Sequence, residues 1–219
     1  MRVVIRLAVS ALTIPLYYGF AVAWWELLVW VWNRPSALIP FGAGVLLAAA
    51  LWIAWLRPRL EFWETLEHEL THAVFSVLFF KGVHGLSAVR GEGGEVVHEG
   101  DNVLIRLAPY FFPTVVVVPL LLKPVVIADL RPYVDGLIGF ALFYHLVGTA
   151  HETSVRQPDI QKSGVIFSFL LINLLHMLFL GIVLVVASKG FGEVPGFLHT
   201  AVFSAWDLVT TGQFFRIFE

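Results

Sequence analysis

The chain has 219 residues, of which 58% are hydrophobic and 14% charged, with a net charge of -2 at pH 7. A soluble domain carries roughly half apolar and about a quarter charged residues, so most of this chain belongs in lipid, and its slightly acidic balance leaves no basic surface for nucleic acid. The absence of cysteine removes disulfides, thiolate catalysis and cysteine-ligated zinc, leaving histidine and carboxylates as the strong metal ligands.

Arg2 and Arg6 precede an apolar run that continues to Trp32. That run exceeds the roughly 7 to 15 apolar residues of a signal peptide, so it reads as a retained membrane helix. A spanning helix needs about 20 mostly apolar residues, and windows near that length fall at 7–31, 37–56, 61–80, 104–127, 133–150 and 164–187. Trp24, Trp25, Trp30 and Trp32 gather at one boundary and Trp52, Trp55 and Trp63 at another, as in interfacial aromatic belts. Arg57-Pro58-Arg59 separates the second and third windows, and the third opens with Glu61, Glu64 and Glu67, which suit a helix N-terminus. Residues 82–100 contain two short runs around Gly93-Gly94 and predict a β-hairpin. In the fourth window Pro109 and Pro113 either kink the segment or are tolerated within it. The final stretch, 191–219, is broken by Pro195, Gly196, Asp207 and Gly212, and an interfacial helix, a re-entrant piece and a frayed tail all fit it.

The expected fold is an all-α polytopic membrane protein with about six transmembrane helices and a small β-hairpin after the third. Its organisation is an N-terminal helix pair over 1–56, a membrane core over 57–190 and a C-terminal segment over 191–219. Lys and Arg are nearly balanced between the two sides, so the positive-inside rule leaves the orientation open.

The third window contains His68-Glu69-Leu70-Thr71-His72. Residues four apart share one helix face, so both imidazoles can reach a single ion, with Glu69 beside it as a base for a water activated by zinc. Ionisable side chains near the middle of a span cost about 2.5 to 3.5 kcal/mol each on insertion scales, which favours a functional over an incidental motif. A catalytic zinc has three protein ligands plus water, so one more is required. Glu64 stands eight residues from His72, about 12 Å along a helix, too far to share the ion. The metzincin continuation is missing because Phe75 and Leu78 occupy its positions. The third ligand therefore comes from another segment, with Asp135, His145, His151, Glu152 and Asp159 as candidates.

Residues 60–165 resemble the site-2 protease family of intramembrane zinc metalloproteases. In that family a His-Glu-x-x-His helix is followed by a glycine-containing β-hairpin, a helix opening with a small-Gly-Pro turn and a later helix ending in Pro-x-Asp-Gly. The matching features are His68 to His72, Gly93-Gly94, Leu107-Ala108-Pro109 and Pro158-Asp159, with Ala108 in place of the glycine and Ile160 directly after the aspartate. The resemblance implies a zinc metalloendopeptidase with His68, His72 and Asp159 as ligands and Glu69 as general base. Asp135, in Asp135-Gly136, is the alternative ligand. Transmembrane segments of other proteins are the implied substrates, and a prokaryotic cell membrane is the expected location.

His145, His151 and Asn173 are candidates for holding a developing oxyanion or the substrate, as is His176, although interhelical hydrogen bonding is the commoner role of such residues. An edge of the hairpin, at Leu86 to Val89 or Glu95 to Val97, could receive an unwound substrate as an added strand. There is no room for an appended soluble domain such as a PDZ module, so selectivity is expected to rest on the membrane core or on a regulatory membrane partner. Two other functions fit the motif: a metal-binding scaffold without hydrolysis, and a zinc-dependent lipid hydrolase.

Overall fold

The computed structural model describes residues 2–56, 61–89 and 93–211. Arg57-Pro58-Arg59, the hairpin residues Arg90 to Glu92 and the tail from Gly212 lie outside the described residues. The chain is mostly helical: α1 (Arg2–Trp32), α2 (Ile39–Leu51), α3 (Glu61–Leu78), β1 (Val83–Val89), β2 (Gly93–His98), α4 (Val103–Leu107), α5 (Thr114–Leu122), α6 (Arg131–Glu152), α7 (Pro158–Ser163), α8 (Val165–Ser188) and α9 (Val194–Thr210). Four helical stretches are long and apolar enough to cross a membrane: Arg6–Trp32, Pro35–Ala54, Ala128–Glu152 and Val165–Ser188. A bent pair, Val103–Tyr110 and Thr114–Leu122, raises the number to five if it counts as one span. These features are consistent with a membrane protein.

Two of the six hydropathy windows differ from simple spans. The third is one helix, α3, but its run of glutamates and histidines keeps it out of the apolar class. The fourth turns through 77° between Tyr110 and Thr114. Pro113 lacks an N–H to continue the helix and stands at the N-cap of α5, where the new direction begins.

The chain falls into two compact units, residues 39–168 and residues 1–38 with 169–219. The sequence segmentation at 56 and 190 follows hydropathy, whereas these units follow packing. In the first, α6 packs along α2. A Cβ at Gly44 would lie 1.8 Å from the Gly136 carbonyl oxygen, so the two backbones approach as only glycine allows. β1 and β2 pair antiparallel, with Leu86 opposite Val96 and Ala88 opposite Gly94, and both strands lie against α3. Asn102 caps α4 by accepting from the Ile105 N–H at 2.9 Å. Ile105, Leu107, Tyr110, Phe111, Ile138 and Ile160 are fully buried in this unit.

In the second unit α1 and the greater part of α8 run parallel. The Tyr17 hydroxyl donates to the Leu170 carbonyl at 2.6 Å, and seven residues on Trp24 Nε1 donates to the Met177 carbonyl at 2.9 Å. The stretch whose form the sequence left open contains α9, with Pro195 in its first turn, where a missing N–H costs nothing. It returns along α1, and Phe20, Ala23, Leu27, Leu174, Val185, Phe197 and Ala201 form the core.

Candidate metal centre

His68 and His72 lie one turn apart on α3, and their Nε2 atoms face each other at 3.2 Å. Each imidazole is held at its other nitrogen. His72 Nδ1 lies 2.9 Å from the carbonyl oxygen of Ile105, an acceptor that requires the ring to donate there. His68 Nδ1 is hydrogen-bonded to the carboxylate of Glu152, the last residue of α6. With both Nδ1 atoms engaged as donors, both Nε2 lone pairs turn toward the same point. Asp159, in the first turn of α7, completes the group, with Oδ2 at 3.6 Å from His72 Nε2. The three ligand atoms lie within 4.8 Å of one another.

Three acceptors facing one another repel unless a cation, a proton or a metal ion, lies between them. The group could hold a metal ion. Ligand bonds of about 2.0 to 2.2 Å at tetrahedral angles separate neighbouring donor atoms by about 3.3 to 3.6 Å, close to the 3.2 and 3.6 Å of two of the three pairs, while the third lies within 4.8 Å. The donors are two imidazoles and one carboxylate, each imidazole backed by a carbonyl or carboxylate as metal-bound histidines commonly are. Burial alone would push the Asp159 carboxyl up, but its neighbours His72, His68 and Lys162 hold it below the usual carboxylate range. The aspartate is thus poised as an anion.

Glu69 borders a cavity of about 570 Å³ together with His68, His72 and Asp159. The opposite wall is β2, through Gly94, Glu95 and Val96. A Cβ at Gly94 would lie 2.6 Å from Glu69 Cγ and 2.8 Å from Thr65 Cγ2, so the missing side chain lets the strand close over the glutamate.

The other candidates are placed elsewhere. Asp135 is paired with Lys123 at 2.6 Å, both side chains only 12% exposed, and is not part of the ligand group. Glu152 contributes as the partner of His68 and is also outside that group. His145 is buried against Glu67, Nδ1 to Oε1 3.2 Å, and His151 lies 3.3 Å from Glu64. Neither lines the cavity. Asn173 donates to the Phe169 carbonyl of its own helix at 2.9 Å.

Two contributors had no distinctive sequence signal. The Ile105 carbonyl acts through backbone alone, which no residue pattern reveals. Tyr110 sets its ring edge-on to His68, centroids 5.3 Å apart, and its buried hydroxyl has no hydrogen-bond partner among the described residues. Only its place after Leu107-Ala108-Pro109 could have drawn attention to it. Comparison of the chain with protein-family models, with curated proteins and with solved structures finds no match.

Proposed function

We propose that this chain is an intramembrane zinc metallopeptidase of the site-2 type, hydrolysing peptide bonds in or beside transmembrane segments of other membrane proteins. The observation that carries this reading is the convergence of two neutral-imidazole acceptors and one carboxylate beside Glu69 at a polar cavity. When bound, zinc supplies a Lewis acid that lowers the pKa of water at its open position toward about 7. His68, His72 and Asp159 would hold the ion. Glu69 accepts the proton of the attacking water and later delivers it to the leaving amine.

The placement of α3 supports an intramembrane site. Its 18 residues span about 27 Å, close to the roughly 30 Å hydrocarbon thickness. Trp63, Leu70 and Val77, at seven-residue spacing, are 55%, 42% and 62% exposed, which gives α3 an apolar outer stripe opposite its polar faces. With α3 and the bent pair each taken as a span, the total reaches six. The cavity gives water and an unwound substrate a common approach, and β2 is the strand placed to receive that substrate by β-augmentation.

The test uses purified full-length protein, its zinc content, and labelled transmembrane fragments and phospholipids as substrates. The wild type is expected to hold stoichiometric zinc and to cleave the fragments. Glu69→Gln is expected to keep the zinc while cleavage falls at least about 100-fold, the lower end of what a general base contributes. Fatty acid release without peptide cleavage would make the protein a lipid hydrolase. Stoichiometric zinc with neither product would make it a scaffold.

A further inference from the structure

A second polar cavity, of about 330 Å³, lies between α1, the C-terminal part of α8 and the start of α9. It is independent of the metal centre and of any reaction there. Because α1 and α8 run parallel, the apolar stretches Arg6–Trp32 and Val165–Ser188 end on the same side, and α9 begins there. The cavity is therefore at the level where two candidate spans leave the hydrocarbon. Trp30 and Trp32 mark that boundary in α1.

The lining combines opposite charges at different depths. Lys189, one residue past the end of α8, lines the cavity and stands over the Trp30 ring at 5.1 Å, while Arg34, outside the lining, stands over the same ring at 5.0 Å. This cationic side is at the rim. Glu193, also at the rim, is 3.8 Å from Lys189. Glu26 is deeper, six residues before the end of α1 and so about 9 Å inward along the helix. Among the described residues its one polar partner is the Thr200 hydroxyl, which donates at 3.3 Å, and no cation stands within ion-pair distance. A carboxylate at that depth calls for a positive partner.

The geometry points to a binding site for a zwitterionic phospholipid headgroup bearing a primary ammonium, as in phosphatidylethanolamine. Its ammonium would donate to Glu26 and its phosphodiester would face Lys189. The order of charges selects the ligand. An anionic headgroup such as phosphatidylglycerol satisfies the rim but leaves Glu26 unpaired, and a trimethylammonium group carries no N–H to donate to it. The location at the end of two apolar spans favours a lipid over a soluble phosphoethanolamine, because the hydrocarbon that would take the acyl chains begins at that level.

Native mass spectrometry of the full-length protein in mixed micelles would compare phosphatidylethanolamine, phosphatidylcholine and phosphatidylglycerol at equal mole fraction. Phosphatidylethanolamine is expected to be retained about tenfold better than the other two, the effect of one hydrogen bond to a charged group. Glu26→Gln should abolish that preference, and Lys189→Gln should weaken retention of all three phosphodiesters. Equal retention of the three lipids by the wild type would overturn the assignment, as would a preference that survives Glu26→Gln. The wild-type comparison needs no variant to fold. Glycerophosphoethanolamine, the same headgroup without chains, should compete only weakly; displacement of the lipid by equimolar amounts would identify a soluble ligand and overturn the lipid reading.

Discussion

Asp159 and Asp135 offer the sharpest separation between a metal ligand and a structural charge, because alanine at each should fail in opposite ways. Asp159 Oδ2 is 3.6 Å from His72 Nε2, the two imidazole Nε2 atoms are 3.2 Å apart and all three atoms lie within 4.8 Å of one another, so one ion could be held by all three. On the proposed assignment, removing Asp159 deletes one of three protein ligands. Loss of even a supporting residue around a metal costs about 10- to 100-fold in affinity, so loss of a ligand should cost at least about 100-fold, and the purified variant should be depleted of zinc. The metal-free protein should tolerate the change, since three mutually facing acceptors become two. Asp135 is different: its partner Lys123 is 2.6 Å away and also 12% exposed. Asp135→Ala leaves that ammonium buried without its counter-charge, a loss of about 3 to 5 kcal/mol for a broken buried pair. Yield and thermal stability should drop while zinc per folded molecule stays unchanged. The assay is elemental zinc per monomer after size-exclusion chromatography, with thermal stability read on the same samples. Zinc lost from Asp135→Ala but retained in Asp159→Ala would refute the ligand assignment.

Glu152→Gln keeps the size of the side chain but weakens the acceptor of His68 Nδ1–H, and should reduce zinc affinity by about 10- to 100-fold in competition with a chromogenic chelator. Gly94→Ala places a Cβ 2.6 Å from Glu69 Cγ; cleavage should fall while zinc content holds, whereas Gly85→Ala, which meets nothing within 4 Å, should leave both unchanged. Zinc should be released on acidification, because both ring Nε2 atoms must be unprotonated to bind it. Asp159 is held below the ordinary carboxylate range, so its favourable contribution is complete at neutral pH and is lost only as pH falls through its lowered value. Zinc content followed across an acid titration with a chromogenic indicator checks the direction.

The motif and the hairpin were legible because their signals are local. His68 and His72 share a helix face by spacing, and Gly93-Gly94 signals the hairpin, with both glycines paired at the start of β2. The third ligand required the resemblance, since Asp135 and Asp159 look alike until Lys123 is seen to occupy one of them. Hydropathy could not separate α3 from a simple span, because its average hides a division between an apolar stripe and two polar faces. Nor could it reveal the 77° turn after Tyr110. The histidines at 145 and 151 read as candidate oxyanion groups because both fall near the site in sequence order, yet seven residues of α6 separate Glu152, which supports His68, from His145, which turns to Glu67.

Those two polar faces explain how one helix carries so many ionisable groups beside strongly apolar neighbours. One face presents His68, Glu69 and His72 to the cavity. The other sets Glu64 toward His151, Glu67 toward His145, and the Thr71 hydroxyl 2.5 Å from that of Thr114. Buried polar groups are tolerable when each finds a partner, and here the partners come from α5 and α6. The consequence for the site is orientation. A helix free to rotate by one residue, about 100°, would carry His68 and His72 away from Ile105 and Asp159, but that rotation would also separate Glu67 from His145 and Thr71 from Thr114. The second polar face therefore keys the rotation of α3, and the alignment of His68 and His72 depends on contacts made on the neighbouring face of the same helix.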